Sequence, residues 1–80
     1  MAYSEANREM ALRHVAEGEE RIDELRFRIA VQESKGLPTT YSKAALATML
    51  ATLEQMRDHL EMIEADLGRQ AARKGESLRP

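Results

Sequence analysis

The sequence predicts an all-α protein, an antiparallel two-helix hairpin that packs like a coiled coil. Three observations lead to this prediction. The segment Leu46–Leu67 carries an apolar heptad repeat without a polar interruption. The first half of the chain carries a second apolar stripe with alternating steps of three and four residues. Between them lies Gly36-Leu37-Pro38, which favours a helix end and a short turn, so the two helices must run antiparallel.

Length and composition restrict the classes of function. The 80 residues form at most one domain, residues 1–80, and contain no cysteine. Because so short a chain encloses a small core and cannot use disulfides, we expect support from a second subunit. Fourteen acidic and 12 basic residues give no general attraction to nucleic acid or lipid. The run 44–53 is about half the roughly 20 residues that cross a bilayer, and residues 1–9 lack the apolar core of a signal peptide. We therefore expect a cytoplasmic protein without membrane association.

Helix 1 is predicted over about residues 4–35. The hydroxyl of Ser4 can cap its first turn, and Gly36 can adopt the left-handed conformation that ends a helix. Its apolar side chains share one face. They are Ala11, Val15, Gly18, Ile22, Leu25 and Ile29.

Helix 2 is predicted over about residues 41–73, after a turn at 36–40. Thr39, Thr40 and Ser42 are alternative N-caps. Gly68 is one candidate end, but Gly75 followed by Pro80 is the stronger one, which leaves 75–80 as a flexible tail. Its apolar rows are Leu46, Leu53, Leu60 and Leu67, and Met49, Met56 and Ile63.

The register of the hairpin follows from the position of the turn. A turn centred near Thr39 sets Ile29 against Met49 and Gly18 against Leu60, where the glycine would form a hole for a large side chain. One flank then pairs oppositely charged residues, Glu33 with Lys43 and Glu19 with Arg57. On the other flank, only His14 with Asp66 is attractive, so that flank keeps unpaired positive charge from Arg21, Arg28 and Lys35.

A lone hairpin leaves the flanks of its seam exposed to water. The sequence therefore predicts a homodimer in which two hairpins form a four-helix bundle and bury Leu12, Leu50 and much of the Met49/Met56 row. Further apolar residues lie outside the stripes and predict an oligomer or partner interface. The interface residues are Leu12, Phe27, Val31, Ala44, Ala47, Leu50 and Ala51.

Candidate chemistry is sparse. His14, Glu17 and His59 could approach each other, but they lack the inward Glu-x-x-His pairs of carboxylate-bridged metal sites, so solvated histidines are the better interpretation. Met10 and Met62, off the stripe, leave open an adaptable peptide-binding groove, although core packing explains Met49 and Met56 better. No nucleophile motif or glycine-rich phosphate loop is present. We predict no catalytic residue, no cofactor and no metal ligand.

Three segments resemble a group of small helical-hairpin proteins that are frequent in alphaproteobacterial genomes. They are H-V-A-E-G-E-E-R-I from His14 to Ile22, the turn G-L-P-T from Gly36 to Thr39, and A-L-A-T from Ala45 to Thr48 followed by Thr52 and His59. The resemblance implies a bacterial cytoplasmic protein and transfers no activity.

The expected function is that of a non-enzymatic, self-associating hairpin that binds another, unidentified protein, as an interaction module or a small regulator. One alternative is a carrier of metal or a small ligand in the core of a helical bundle. Another is a weak nucleic-acid binder that uses the basic C-terminal residues Arg69, Arg73, Lys74 and Arg79. Nucleic acid is the less favoured partner, because no aromatic stacking residues accompany these cations.

Overall fold

The computed structural model describes residues 2–77 as two antiparallel helices, α1 (Glu5–Ser34) and α2 (Thr40–Ser77), joined by a turn at 35–39. The predicted all-α hairpin is confirmed, and the described residues include no strand. The molecule is a rod of 70 × 15 × 13 Å. Its radius of gyration is 19.0 Å, against about 12 Å for a globular chain of this length. Within residues 2–77, neither helix has a stretch apolar enough to cross a membrane.

Helix α1 begins where the cap predicts. The amide of Asn7 donates to Ser4 Oγ at 3.2 Å, and the Ser4 amide donates to Asn7 Oδ1 at 2.8 Å. This reciprocal capping box satisfies amides that have no partner inside the helix. Glu5 in the first turn also complements the positive end of the helix dipole.

The turn between the helices depends on Gly36. Its φ of 68° lies in the left-handed region, which an L side chain rarely adopts. The Gly36 amide donates to Glu33 O at 3.0 Å and the Leu37 amide to Gln32 O at 2.9 Å, the paired bonds of a Schellman motif. Ser42 Oγ then donates to Gln32 Oε1 at 2.9 Å and ties the start of α2 to the end of α1.

The C-terminal end of α2 differs from the prediction. The helix continues through Gly68 and Gly75 to Ser77, so the predicted end near residue 73 and the flexible tail from residue 75 are wrong for 75–77. Residues 78–80 of that tail lie outside the described residues. The physical reason is that a glycine costs about 1 kcal/mol in a helix relative to alanine but keeps its amide donor, so it weakens a helix without ending it.

The core is a single thin seam between the helices. Ala11, Ile22, Leu25, Ile29, Leu53 and Ile63 are buried, and Ile63 is only 1% exposed. The other predicted core residues are half-buried, because a seam between two helices has no third element to cover its edges. They are Val15, Gly18, Leu46, Met49, Met56, Leu60 and Leu67.

The register is displaced by about one helical turn from the prediction. A Cβ on Gly18 would lie 2.8 Å from Met56 Cε and 3.3 Å from Leu53 Cδ1, so the glycine faces Met56 and not Leu60. Met49 correspondingly borders Leu25, where the prediction set it against Ile29. The reason is that α1 ends at Ser34 and α2 begins at Thr40, which centres the turn on Leu37 and not on Thr39.

Candidate interaction surface

Two long flanks border the seam, and they differ in chemistry. One flank, here called the ion-pair flank, holds Lys43 Nζ 3.2 Å from Glu33 Oε1 and Arg57 Nη2 3.0 Å from Glu19 Oε1. Both predicted pairs are therefore confirmed. Their side chains are half or more exposed, so each pair contributes only about 0.2–1 kcal/mol.

The opposite flank, here called the methionine flank, is a chain of three shallow hollows of about 170, 110 and 240 Å³. Thr52 and Met56 line the first two, and Arg21 and Met49 line the second and third, so the hollows join into one groove. Ligand pockets are concave clefts that bury most of a ligand's surface, whereas this groove is shallow and runs along the seam between the helices. The shape therefore fits a side-chain row of another helix better than a small molecule.

Gly18 explains why a groove exists here. Because this residue has no side chain, Met56 Cε can lie directly against the backbone of α1. Met49 and Met56 consequently form a half-buried floor with one side open to solvent. The prediction treated this row as core, and the structure places it at the edge of the core.

The other described methionines border the same flank. Met10 precedes His14 by four residues and Met62 follows His59 by three, and residues so spaced are neighbours on a helix surface. His14 and His59 line one hollow of the groove. Met10 is 56% and Met62 59% exposed. Met10 and Met62 thus lie outside the groove that Met49 and Met56 line, and they extend its flexible apolar surface.

Formal charge among the residues that line the groove is confined to α1. The α2 residues that line it are uncharged. They are Ala45, Thr48, Met49, Thr52, Gln55, Met56 and His59. On α1, Arg21, Glu24 and Arg28 line the groove, and the cation Lys35 follows Arg28 by one heptad. In the described part of the chain none of these three cations has a carboxylate within ion-pair distance.

A clasp closes the end of the hairpin opposite the turn, here called the open end. The Tyr3 amide donates to Asp66 Oδ2 at 3.0 Å, and Gln70 Nε2 donates to Tyr3 O at 2.9 Å and to Asp66 Oδ2 at 2.7 Å. The Tyr3 ring meets the His59 ring edge-on, with centroids 5.7 Å apart. The Tyr3 amide, followed by the Gln70 side chain, lowers the pKa of Asp66.

The clasp corrects two expectations. The predicted pair of His14 with Asp66 is wrong, because Asp66 engages Tyr3, Gln70 and, at 3.5 Å, Arg69 Nη2. The prediction also began the fold at the Ser4 cap and gave Tyr3 no role. An aromatic residue just before a helix cap was the available signal, since apolar residues there often pack back onto the fold.

The predicted interface residues do not share one face. Leu50 is 39% exposed and lines a hollow with Glu19 and Arg57 on the ion-pair flank, and Leu12, also 39% exposed, precedes Glu19 by one heptad. The Met49/Met56 row lies on the other flank, so these four residues border two different flanks of the hairpin. Phe27 is 73% exposed. Of the remaining predicted residues, Val31 is half-buried and Ala44, Ala47 and Ala51 are exposed.

The basic C-terminal residues border a separate hollow of about 530 Å³. Arg73 and Lys74 line it together with Ser4, Glu5 and Leu67. Arg69 lies beside Asp66, and Arg79 is outside the described residues. Because Glu5 faces the same hollow, these cations do not form a purely positive surface.

Across residues 2–77, no three His, Cys, Asp or Glu side chains converge in a way that would hold a metal ion. His14 and His59 line the same hollow, beside apolar and amide neighbours.

Compared with known proteins, the chain matches no family model, no curated protein and no solved structure.

Proposed function

We propose that this chain is a non-enzymatic, cytoplasmic helical hairpin that pairs with a second copy to form a four-helix bundle, and that the bundle binds another protein. The two flanks and the thin core support self-association. The exposed apolar residues on the outer surface support the binding of a further partner.

The main support for a dimer is that the hairpin has a larger accessible surface area than a compact folded monomer of its mass. This area amounts to 6,459 Å² for a chain of 9.1 kDa, whereas a folded monomer of this mass exposes about 4,900 Å². The excess of roughly 1,600 Å² per chain exceeds the roughly 800 Å² that each partner buries in a standard stable interface. The hairpin therefore has enough surplus surface for a dimer of the obligate class.

Because the core is thin, part of the surplus accessible surface is apolar, and covering it would stabilise a dimer. Half-buried side chains such as Met49, Met56 and Leu60 leave part of their apolar area in water. Covering that area contributes about 25 cal/mol per Å² removed from water. A second hairpin supplies the missing layer without any change in the first, as in four-helix bundles.

The measurement that tests pairing is the mass in solution by light scattering, with helicity by circular dichroism on the same dilution series. We expect twice 9.1 kDa at micromolar concentration and a coupled loss of mass and helicity on dilution. A monomer that keeps full helicity at micromolar concentration would refute the proposed dimer.

Binding of a further protein is tested on the outer surface of α1. Phe27 is 73% exposed, and Val31 lies four residues later. Substitution Phe27→Glu should abolish capture of a partner from a bacterial lysate while the dimer mass stays unchanged. Ser34→Glu, one heptad from Phe27 and also exposed, is the matched control. Equal capture by wild type and both variants would exclude this surface.

A further inference from the structure

A second copy of the chain can approach either flank, and the distribution of carboxylates distinguishes them. The ion-pair flank and its border on both helices are rich in acid. They carry Glu19, Asp23, Glu33, Glu54, Glu61 and Glu64. The cations among them, Arg8, Arg26, Lys43 and Arg57, are fewer. Three of these already pair within the chain, which leaves Asp23, Glu54 and Glu61 as the surplus acids. Two such flanks packed together would bring like charges into a desolvated interface, which disfavours pairing through this flank.

The methionine flank has the properties that a self-pairing surface needs. The α2 residues that line its groove are uncharged. Its floor of Met49 and Met56 is half-buried and flexible enough to repack against a copy of itself. Thr48 and Thr52 on its edge are small enough to let another helix approach closely.

We propose that the second copy occupies the methionine flank, with the two hairpins antiparallel so that the turn of each lies beside the open end of the other. The inference rests on the proposed function, because it assigns the face and the orientation of the same dimer.

The orientation follows from how charge is distributed along the flank. On α1, Arg28 and Lys35 lie towards the turn, and the carboxylate of Glu17 lies nearer the open end. An antiparallel pair that sets Arg28 against Glu17 of the other copy also sets Arg21 against Glu24, which lines the same groove. A parallel pair would set Arg28 against Arg28 and Lys35 against Lys35. Complementary charge therefore favours the antiparallel arrangement.

The contact between Arg28 and Glu17 is diagnostic of this arrangement. The two residues are separated by eleven positions on α1, which is about 16 Å along a helix. They cannot form an ion pair within one chain. Any energetic coupling between them must therefore arise between chains.

The face is tested by two substitutions on neighbouring positions of α2. Thr52 is exposed and lies in the middle of the groove, and Leu50 is exposed on the ion-pair flank. We expect Thr52→Arg to raise the dimer dissociation constant about 100-fold or more, since it places an unpaired charge in the interface. Leu50→Arg should leave the constant within about threefold, as expected of a charge at an interface rim.

Each outcome of this comparison is informative. Loss of the dimer in Leu50→Arg alone would assign the ion-pair flank and overturn the inference while leaving the proposed dimer intact. Retention of the dimer in both variants would place the interface on an outer surface, with the same consequence. A monomeric wild type would refute the proposed function together with the inference.

If the hairpin folds only as a dimer, a substitution that breaks the dimer also unfolds the chain. The interface is therefore also tested in a way that leaves the dimer intact. The sequence contains no cysteine, and Thr52→Cys and Leu50→Cys each introduce one reactive thiol. We expect the thiol at position 52 to react slowly with a maleimide at high protein concentration and faster on dilution, while position 50 reacts fast throughout. Slow reaction at position 50 with fast reaction at position 52 would overturn the inference.

The orientation is tested by exchanging charges. Arg28→Glu should weaken the dimer about tenfold, because it sets carboxylate against carboxylate. Adding Glu17→Arg to the same chain should restore the constant to within about threefold of wild type. If the double variant dimerises no better than Arg28→Glu alone, the antiparallel orientation is wrong, and the face assignment then depends on the Thr52 results.

Discussion

Substitution of Gly18 by alanine tests the register of the hairpin most directly. In this structure Gly18 is the position where α2 approaches the backbone of α1, since an added Cβ would lie 2.8 Å from Met56 Cε and 3.3 Å from Leu53 Cδ1. Gly68, in α2, has nothing within 4 Å of an added Cβ. The same substitution at the two glycines therefore separates backbone propensity from packing.

The expected magnitudes follow from these contacts. Alanine at a helical position stabilises by about 1 kcal/mol relative to glycine. Gly68→Ala should gain this full amount. At position 18, Met56 must move its terminal methyl, at about 0.5–1.5 kcal/mol for a strained side-chain torsion, and the buried Leu53 must yield slightly. Gly18→Ala should therefore be close to neutral, about 1 kcal/mol less stable than Gly68→Ala.

The assay is thermal unfolding by circular dichroism at one fixed protein concentration, because the midpoint of a dimer depends on concentration. A difference of about 1 kcal/mol corresponds to roughly 4–8 °C for a domain of this size. Equal stabilisation by the two substitutions would show that the helices do not approach at Gly18, and the register described here would then be wrong.

Two further predictions concern the turn and the clasp. Gly36→Ala should destabilise the hairpin by about 1 kcal/mol, because a φ of 68° is unfavourable for a residue with a Cβ; urea unfolding against Gly68→Ala measures it. Asp66 should stabilise the fold at neutral pH, because its pKa is lowered in the folded state. This contribution is lost as the pH falls below the ordinary value of 3.8 and through the lowered pKa, so the stability difference between wild type and Asp66→Asn should shrink there.

The opposite results would be equally clear. If Gly36→Ala stabilised as much as Gly68→Ala, the turn would not require a left-handed residue. If the difference between wild type and Asp66→Asn stayed constant from neutral pH to pH 2, the Asp66 carboxylate would not accept the Tyr3 amide in solution.

Local signals in the sequence were sufficient to predict where α1 begins and ends and that it pairs with α2. Ser4 and Gly36 act through bonds to residues at most a few positions away, so their effect is readable from the chain. The ion pairs of Glu33 with Lys43 and Glu19 with Arg57 were also predictable. Long side chains reach partners over more than one turn, so these pairs tolerate an error in register.

Register itself was not readable from periodicity. A heptad stripe displaced by one turn still sets apolar residues against apolar residues, so the pattern alone leaves Gly18 free to face Leu60 or Met56. The length of the turn decides between them, and the start of α2 at Thr40 depends on three alternative caps. The aromatic residue beside the Ser4 cap indicated that Tyr3 packs back onto the fold. Its partner Asp66 was not readable from the local pattern, since the bond joins residues 63 positions apart.

The elongation of the hairpin also affects how it moves through water. A rod of 70 × 15 × 13 Å experiences more friction than a sphere of equal mass, so it diffuses slowly and leaves a sizing column early. Side-by-side pairing thickens such a rod without lengthening it, and adds less friction than the doubled mass implies. Elution volume would therefore overstate the size of a single hairpin and respond only weakly to its pairing.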